Sequence, residues 1–149
     1  MIFTTKAEYG VRLLVQLGML GGGQPVSLKA IAEAESLPLA YLERIAALLK
    51  KAGLVEATRG AHGGYQLSRP AREISFLDVI EAVEGPVVVN VCQDGHDACK
   101  VSRSCTMYGV WKLGQQRMLE VYRAATLDTL AMTDLRPSDA PVPLSIASA

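Results

Sequence analysis

Apolar residues recur at helical spacing through the first third of the chain and predict three helices. The first helix begins after a threonine cap, Thr4 or Thr5, and ends at the three glycines of residues 21–23. Its apolar positions Val11, Leu14, Val15, Leu17 and Gly18 recur at helical spacing. A long helix with one apolar face is typical of an element that packs against others in a folded domain.

The next two predicted helices are short and are separated by a break at residues 36–38. Ser27 is a suitable N-cap for the second helix, and Ile31 is predicted to face inward. Pro38 is placed as the first residue of the third helix, where its missing N–H costs nothing. The inner side of that helix comprises Leu42, Ile45, Ala46, Leu48 and Leu49, and Gly53 closes it in a left-handed conformation.

Such a pair of helices, spanning residues 28–51, predicts a helix-turn-helix whose second helix enters the DNA major groove. Helical domains without a DNA partner contain similar pairs, so the spacing alone leaves both readings open. Two β-type runs and a glycine-rich link follow, at residues 54–58, 65–68 and 59–64. A hairpin in this place is the wing of a winged helix, residues 54–68. Arg59 at its tip suits a narrow A·T-rich minor groove, and His62 is either a phosphate contact or an ordinary surface side chain.

The second half of the chain predicts a further helix, a loop and a long helix. Apolar residues between 74 and 83 form a helical pattern that stops at Gly85. The long helix spans about residues 106–125, with a heptad-like seam of Met107, Trp111, Gly114, Met118, Val121 and Ala125. This seam indicates pairing with a second copy of the chain, although packing on its own domain is the alternative. Thr126 is a suitable cap for a short return helix.

These elements predict a mainly α fold with a small β-hairpin wing: a winged helix-turn-helix domain plus a long dimerisation helix. The expected division is a DNA-binding domain at 1–85, a cysteine loop at 86–105, a dimerisation helix and return helix at 106–135, and a disordered tail at 136–149.

Composition and charge narrow the classes of function. Half of the 149 residues are apolar, and no run is long enough to be a membrane helix. The first residues do not form a secretory signal, so a cytoplasmic protein without a membrane partner is expected. The net charge is zero, but residues 1–75 hold nine Lys and Arg against six Asp and Glu. This bias suits nucleic acid, although a solvated basic face is the simpler explanation of charge alone.

All three cysteines, Cys92, Cys99 and Cys105, lie in one loop. Their spacing lacks the Cys-x2-Cys pair typical of structural zinc, and a disulfide suits a reducing compartment poorly. Iron–sulfur clusters take thiolates at wider spacing and accept a fourth ligand that is not cysteine. His96, inside the loop, is one candidate for it. A thiol enzyme using Cys92 and His96 would need a group that orients the base, and none accompanies them, so neither an enzyme nor a small-molecule substrate is expected.

Several motifs carry a resemblance to a known family. They are Thr4-x-Lys6-x-x-Tyr9-Gly10-Val11, Ile31-Ala32, Tyr41-Leu42-Glu43, Arg59-Gly60-x-x-Gly63-Gly64-Tyr65-x-Leu67 and Ile80-x-x-Val83-Glu84-Gly85. The chain resembles the winged-helix bacterial regulators that include the iron–sulfur repressors IscR, NsrR and RirA. The likeness runs through the cysteine loop and fades after about residue 135.

The resemblance implies a set of DNA contacts. Leu39, Ala40, Tyr41, Glu43 and Arg44 would be exposed at the groove-facing start of the recognition helix, with Lys50 further along it and Arg59 on the wing. Glu43 can accept from cytosine and Arg44 can bind guanine in a forked pair. Tyr41 and Lys50 suit phosphates. Iron–sulfur members often carry a polar residue in place of Ala40 and glutamine in place of Arg44, so the resemblance does not define the operator sequence.

The resemblance also implies an iron–sulfur cluster, [2Fe–2S] or [4Fe–4S], held by Cys92, Cys99 and Cys105. The histidine that serves IscR-like members as fourth ligand is replaced here by Tyr108. Glu8, reaching from the opposite subunit, is the favoured substitute, with His96 as the alternative. The expected protein is a homodimeric regulator of operator DNA, a repressor in the simplest case, that responds to iron supply, oxidants or nitric oxide. The alternative is a winged-helix regulator that senses through its thiols or holds structural zinc.

Overall fold

The computed structural model describes residues 3–94, 99–101 and 104–132, and the fold over these ranges is mainly helical. The helices are α1 (Thr5–Gly21), α2 (Leu28–Glu35), α3 (Leu39–Lys51), α4 (Phe76–Glu84), α5 (Tyr108–Ala124) and α6 (Leu127–Met132). Strands β1 (Val55–Thr58) and β2 (Gly64–Leu67) form an antiparallel hairpin, and 3-10 turns lie at Ala71–Glu73 and Val91–Gln93. The predicted fold class, mainly α with a hairpin wing, is confirmed. The predicted tail at 136–149 lies outside the described residues.

Helix α1 lies at the centre of the fold and contacts α3, α4, α6 and β2. The Thr4 hydroxyl caps it by accepting from the backbone N–H of Lys6 at 3.2 Å, as predicted. Its buried face comprises Ala7, Gly10, Leu13, Leu14, Leu17 and Gly21. Of the apolar positions noted in the sequence, Leu14 and Leu17 are buried, Val11 and Val15 are half-buried and pack against the core, and Gly18 is exposed.

The helix-turn-helix is formed by α2 and α3. Ser27 caps α2 by accepting from the N–H of Ala30 at 3.2 Å. Pro38 has extended backbone angles and is the N-cap of α3, not its first residue as predicted, so the helix begins at Leu39. After α3, Gly53 has a φ of +72° and so adopts the left-handed conformation predicted for it.

The wing is joined directly to the start of the helix-turn-helix. The backbones of Val26 and Tyr65 exchange two hydrogen bonds of 2.8 Å, so β2 extends its pairing to the residue before Ser27. This approach requires glycine at position 64, since a Cβ there would lie 2.5 Å from the carbonyl oxygen of Val26. The wing and α2 are consequently fixed relative to each other.

Helix α4 closes the winged domain against α1. Ser75 and Asp78 form a reciprocal capping box at its start. At its end, Glu84 accepts a hydrogen bond from the hydroxyl of Thr4 and lies 3.5 Å from Lys6. Partial burial alone would raise the pKa of Glu84, but the hydrogen bond from Thr4 and the charge of Lys6 lower it below its ordinary value. The two helix ends are thus held together by charge as well as by apolar packing.

Helix α5 has one face on its own domain and another that faces away from it. The inner face presents Met118, Leu119 and Tyr122 to the core. Met118 therefore departs from the predicted seam, because that helix face is already covered by the domain. The outer face, with the residue before the helix, exposes Met107, Val110, Trp111, Leu113 and Val121. Within the ranges that the structure describes, no helix combines the length and the apolar character needed to cross a bilayer.

Candidate functional site

The outer face of α3 carries the side chains predicted to read DNA. Leu39, Ala40, Glu43, Arg44 and Lys50 are all exposed, because the residues between them face the core. Within residues 3–94, Glu43, Arg44 and Lys50 form no ion pair. Their charges are therefore available to an external partner, and base edges and phosphates are partners of matching chemistry.

Tyr41 differs from this group. Its side chain is half-buried, not exposed, because its ring packs edge-on against Tyr9 of α1, with centroids 5.6 Å apart and an interplanar angle of 89°. Aromatic pairs of this geometry are favourable beyond the area that they bury. Tyr41 thus ties the start of α3 to α1, and its phosphate contact stays a prediction.

A further basic side chain, Arg59, lies on the wing. Arg59 directly follows β1, is exposed, and forms no ion pair with the described residues. His62, immediately before the closing glycines of the tip, is exposed as well. The rigid connection of β2 to Val26 gives the tip a defined position relative to α2 and α3, which a groove contact requires.

Cys92 lies in the second 3-10 turn and is buried, while Cys99 and Cys105 are half-buried, and all three thiols are free. The Gln93 side chain lies 3.5 Å from the Cys92 sulfur. The segment before the turn is anchored to α5, where the Gln115 side chain accepts from the backbone N–H of Val89 at 2.9 Å. Sequence reasoning missed Gln115, because nothing in the local pattern links it to a residue 26 positions away.

The donor set suits an iron–sulfur cluster, since free thiolates are its usual ligands. Among the described residues, however, no three Cys, His, Asp or Glu side chains come together as a metal site. Glu8 lies on α1 with its side chain 63% exposed, 3.6 Å from the guanidinium of Arg12. His96 lies outside the described residues. The loop as described therefore supplies suitable ligands that are not gathered around one point.

Arg12 is a second residue that sequence reasoning missed. It lies four positions after Glu8 on α1 and contacts Glu35 at the end of α2 as well as Glu8. The sequence carried one signal, the i, i+4 spacing of Glu8 and Arg12, which is typical of an ion pair on a helix surface. It did not indicate Glu35, which lies on a different helix.

Comparisons with known proteins extend over the whole of this arrangement. Residues 3–133 match the family model described as "Rrf2: Iron-dependent Transcriptional regulator". The chain is 36% identical over 135 residues to the protein rrf2 of Nitratidesulfovibrio vulgaris, covering 91% of this chain and 87% of that one. These matches confirm the resemblance that the motifs carried.

Two solved structures agree with these matches. CymR, described as the global cysteine regulator of B. subtilis, superposes with a TM-score of 0.72 at 33% identity, covering 90% of this chain and 99% of that one. IscR of T. potens superposes with a TM-score of 0.68 at 36% identity, covering 89% and 87%. The helix-turn-helix, the wing and the cysteine loop all lie within the matched part of the chain.

Proposed function

The chain belongs to the Rrf2 family of transcriptional regulators, which are DNA-binding proteins and not enzymes, and on that premise we propose that it is a homodimeric repressor controlled by an iron–sulfur cluster. Operator reading is supported above all by the exposed outer face of α3, whose charged side chains have no partner within residues 3–94. The wing arginine Arg59 adds a second contact on a rigid hairpin. Control is assigned to the loop that holds Cys92, Cys99 and Cys105.

The side chains of α3 define an expected half-site. Glu43 accepts from cytosine N4, and Arg44 donates a forked pair to guanine. Leu39 and Ala40 are apolar and exposed, and the thymine methyl group is the apolar contact that the major groove offers. Lys50 neutralises a phosphate. A half-site selected by this protein is therefore expected to contain guanine, cytosine and thymine at adjoining positions, beside an A·T-rich segment for Arg59.

Arg59→Ala is expected to weaken binding to such a duplex about tenfold at physiological salt, as the loss of one arginine contact in a groove does. The operator is first selected from a pool of random duplexes, and affinity is then measured by fluorescence anisotropy. Arg72→Ala serves as the control, because Arg72 is also exposed but lies in the 3-10 turn after the wing. A wild-type protein that enriches no sequence from the pool would refute operator binding.

The homodimer is supported by the outer face of α5. No residue of α5 is fully buried by the part of the chain that the structure describes. Its apolar side chains Val110 and Val121 are 73% and 65% exposed, which is costly unless a partner covers them. A second apolar surface, a cavity of about 390 Å³ between α1 and α4, opens beside Glu8 and includes Val11 and Phe76. Two copies of the chain that pair through α5 would cover such surfaces and set two recognition helices on half-sites about one DNA turn apart.

Val121→Asp is expected to convert the dimer into a monomer, because a carboxylate would lose its hydration in the paired face of α5. Sedimentation velocity at micromolar concentration measures the change in mass. Leu20→Asp provides a matched control, since Leu20 is a similarly exposed apolar residue at the end of α1. Retention of the dimer by both variants would assign pairing to another surface.

The ligands proposed for the cluster are Cys92, Cys99 and Cys105, with Glu8 of the partner as the favoured fourth and His96 as the alternative. When bound, a thiolate-ligated cluster responds to iron supply, oxidants or nitric oxide; both [2Fe–2S] and [4Fe–4S] forms suit this donor set. The chain's own residues prepare the site: Gln115 holds the segment before Cys92, and Glu8 is held only by a long, exposed ion pair and is free to take another partner.

A second candidate is a regulator that senses through its thiols or holds structural zinc. The similarity to CymR supports it, because that protein is described as a cysteine regulator. The two candidates differ in what the cysteine loop binds after anaerobic reconstitution: iron and sulfide for the first, zinc or no metal for the second.

A further inference from the structure

Arg12 of α1 donates two hydrogen bonds to Glu35, the last residue of α2. Its Nε donates to the Glu35 carboxylate at 2.6 Å, and its Nη2 donates to the Glu35 backbone carbonyl at 2.7 Å. The Gln16 side chain donates to the other oxygen of the same carboxylate. The last carbonyls of a helix lack an internal partner, and they form the negative end of the helix dipole. Arg12 therefore caps α2 from a neighbouring helix.

The turn that follows this cap has an unusual conformation. Ser36 has a φ of +53°, and it is the only non-glycine residue with positive φ among those that the structure describes. Such a conformation is unfavourable for a residue with a side chain, and it persists where surrounding contacts hold it. The backbone N–H of Leu37 then bonds back to Ala32 at 2.9 Å, and α3 begins at Leu39. The contact with Arg12 lies at the start of this strained segment.

The same part of α1 also holds the far side of the turn. Tyr9, one helical turn before Arg12, packs edge-on against Tyr41 in the first turn of α3. The Arg12 guanidinium lies 5.9 Å from the centre of the Tyr9 ring, a cation–π distance. Both helices of the helix-turn-helix are thus attached to α1 beside the turn that separates them.

Glu8 competes with Glu35 for the same guanidinium, and the geometry decides between them. The Arg12–Glu35 ion pair is 2.6 Å long with the Glu35 side chain 17% exposed, whereas the Arg12–Glu8 pair is 3.6 Å long with Glu8 63% exposed. Exposed pairs at long distance contribute little, and short charge-assisted hydrogen bonds contribute more. The principal partner of Arg12 is consequently Glu35, next to the turn, and not Glu8.

We propose that Arg12 is a positioning residue for DNA reading, which fixes the angle of α3 relative to α1 and the wing by bracing the turn of the helix-turn-helix. The inference rests on the proposed reading of operator DNA by α3. Arginine is required because one planar group must reach both a carboxylate and a carbonyl; lysine supplies a single centre of charge and can satisfy only one of them at full strength.

The test compares binding of two DNA duplexes, the selected operator and a scrambled sequence, by full-length Arg12→Gln, Arg12→Lys and Glu35→Gln variants. Non-specific binding depends on the number of basic side chains that can approach phosphates, and much less on the angle at which α3 enters the groove. Arg12→Gln is expected to lose about tenfold in operator affinity and to change less than twofold on the scrambled duplex. Arg12→Lys should recover part of the loss.

Two further measurements separate positioning from a general loss of stability. Hydrogen exchange of the Leu37 amide should accelerate in Arg12→Gln while amides in α4 keep their wild-type rates. Arg69→Gln is the matched control, because Arg69 also donates to a backbone carbonyl, that of Glu73 at 3.0 Å, and contacts a carboxylate, Asp78 at 3.4 Å, outside the turn. It should change operator affinity less than threefold.

The inference is overturned if folded Arg12→Gln keeps its operator affinity, or if affinities for both duplexes fall in parallel. Should Arg12→Gln fail to fold, Arg12→Lys and Glu35→Gln replace it in the test. The measured quantity is again the affinity for the selected operator divided by the affinity for the scrambled duplex, and an unchanged ratio in both variants overturns the inference. A wild-type protein that binds no selected sequence would instead refute the proposed function.

Discussion

Gly64→Ala is expected to lower the stability of the protein by about 3 kcal/mol, because a side chain forced into a packed backbone contact displaces the backbone itself. The added Cβ would lie 2.5 Å from the carbonyl oxygen and 2.6 Å from the carbonyl carbon of Val26. Neither atom can rotate away as a side chain would. The two 2.8 Å hydrogen bonds between Val26 and Tyr65 must then lengthen or break, which detaches β2 from the start of α2.

Chemical denaturation followed by circular dichroism measures this loss, and anisotropy measures the expected fall in operator affinity. Gly109→Ala is the matched control. Apart from the backbone of its own helix, no atom of the described residues lies within 4 Å of its Cβ position, and Gly109 lies in the first turn of α5, where alanine is readily accommodated. Wild-type stability and wild-type DNA affinity in Gly64→Ala would show that the wing is not attached at Val26.

Cys92→Ala is expected to abolish the bound cluster. After anaerobic reconstitution with iron and sulfide, the wild-type protein should absorb visible light and contain both elements, whereas the variant should be colourless. Cys92 is the buried member of the three thiols, and the segment before its turn is anchored through Gln115, so the substitution removes a ligand that is held in a defined position. The fold should tolerate the change, because alanine keeps most of the buried volume and loses roughly 1 kcal/mol of apolar burial.

The decisive comparison is operator affinity with and without reconstitution. The affinity of the wild-type protein should differ between the reconstituted and the unreconstituted form, whereas Cys92→Ala should bind the operator equally well in both. Glu8→Ala and His96→Ala, reconstituted in parallel, identify the fourth ligand by which of them loses colour. A colourless wild-type protein that retains zinc would favour the second candidate and exclude the cluster.

The helices and the hairpin were predictable from residues adjacent in the chain. The caps Thr4 and Ser27 and the left-handed Gly53 act within a few positions of themselves, so the sequence predicts them without knowledge of the fold. The buried face of α1 was less predictable, because helical spacing alone does not say which of its apolar residues the neighbouring elements cover. Pro38 differed by one position, since the φ of proline suits both the cap and the first turn, and only its extended ψ of 119° makes it the cap.

The candidate site was predictable in its chemistry and less so in its geometry. The exposed side chains of α3 follow from helical periodicity, and the three thiols follow from composition. Tyr41 was expected to be exposed and to contact a phosphate, whereas its ring packs on Tyr9, a residue 32 positions away that no local pattern connects with it. The wing motif pointed to Gly64, but its physical requirement is the backbone of Val26, which belongs to a different element.

The class of fold, the helix-turn-helix with its wing and the presence of a cysteine loop follow from the sequence alone, because they depend on local conformational preference and on residue type. The pairing of Arg12 with Glu35 in place of Glu8, and the attachment of β2 to the start of α2, became known from the three-dimensional arrangement. Contacts between residues distant in the chain depend on ångström-scale separations, and those separations are set by the packing of whole helices.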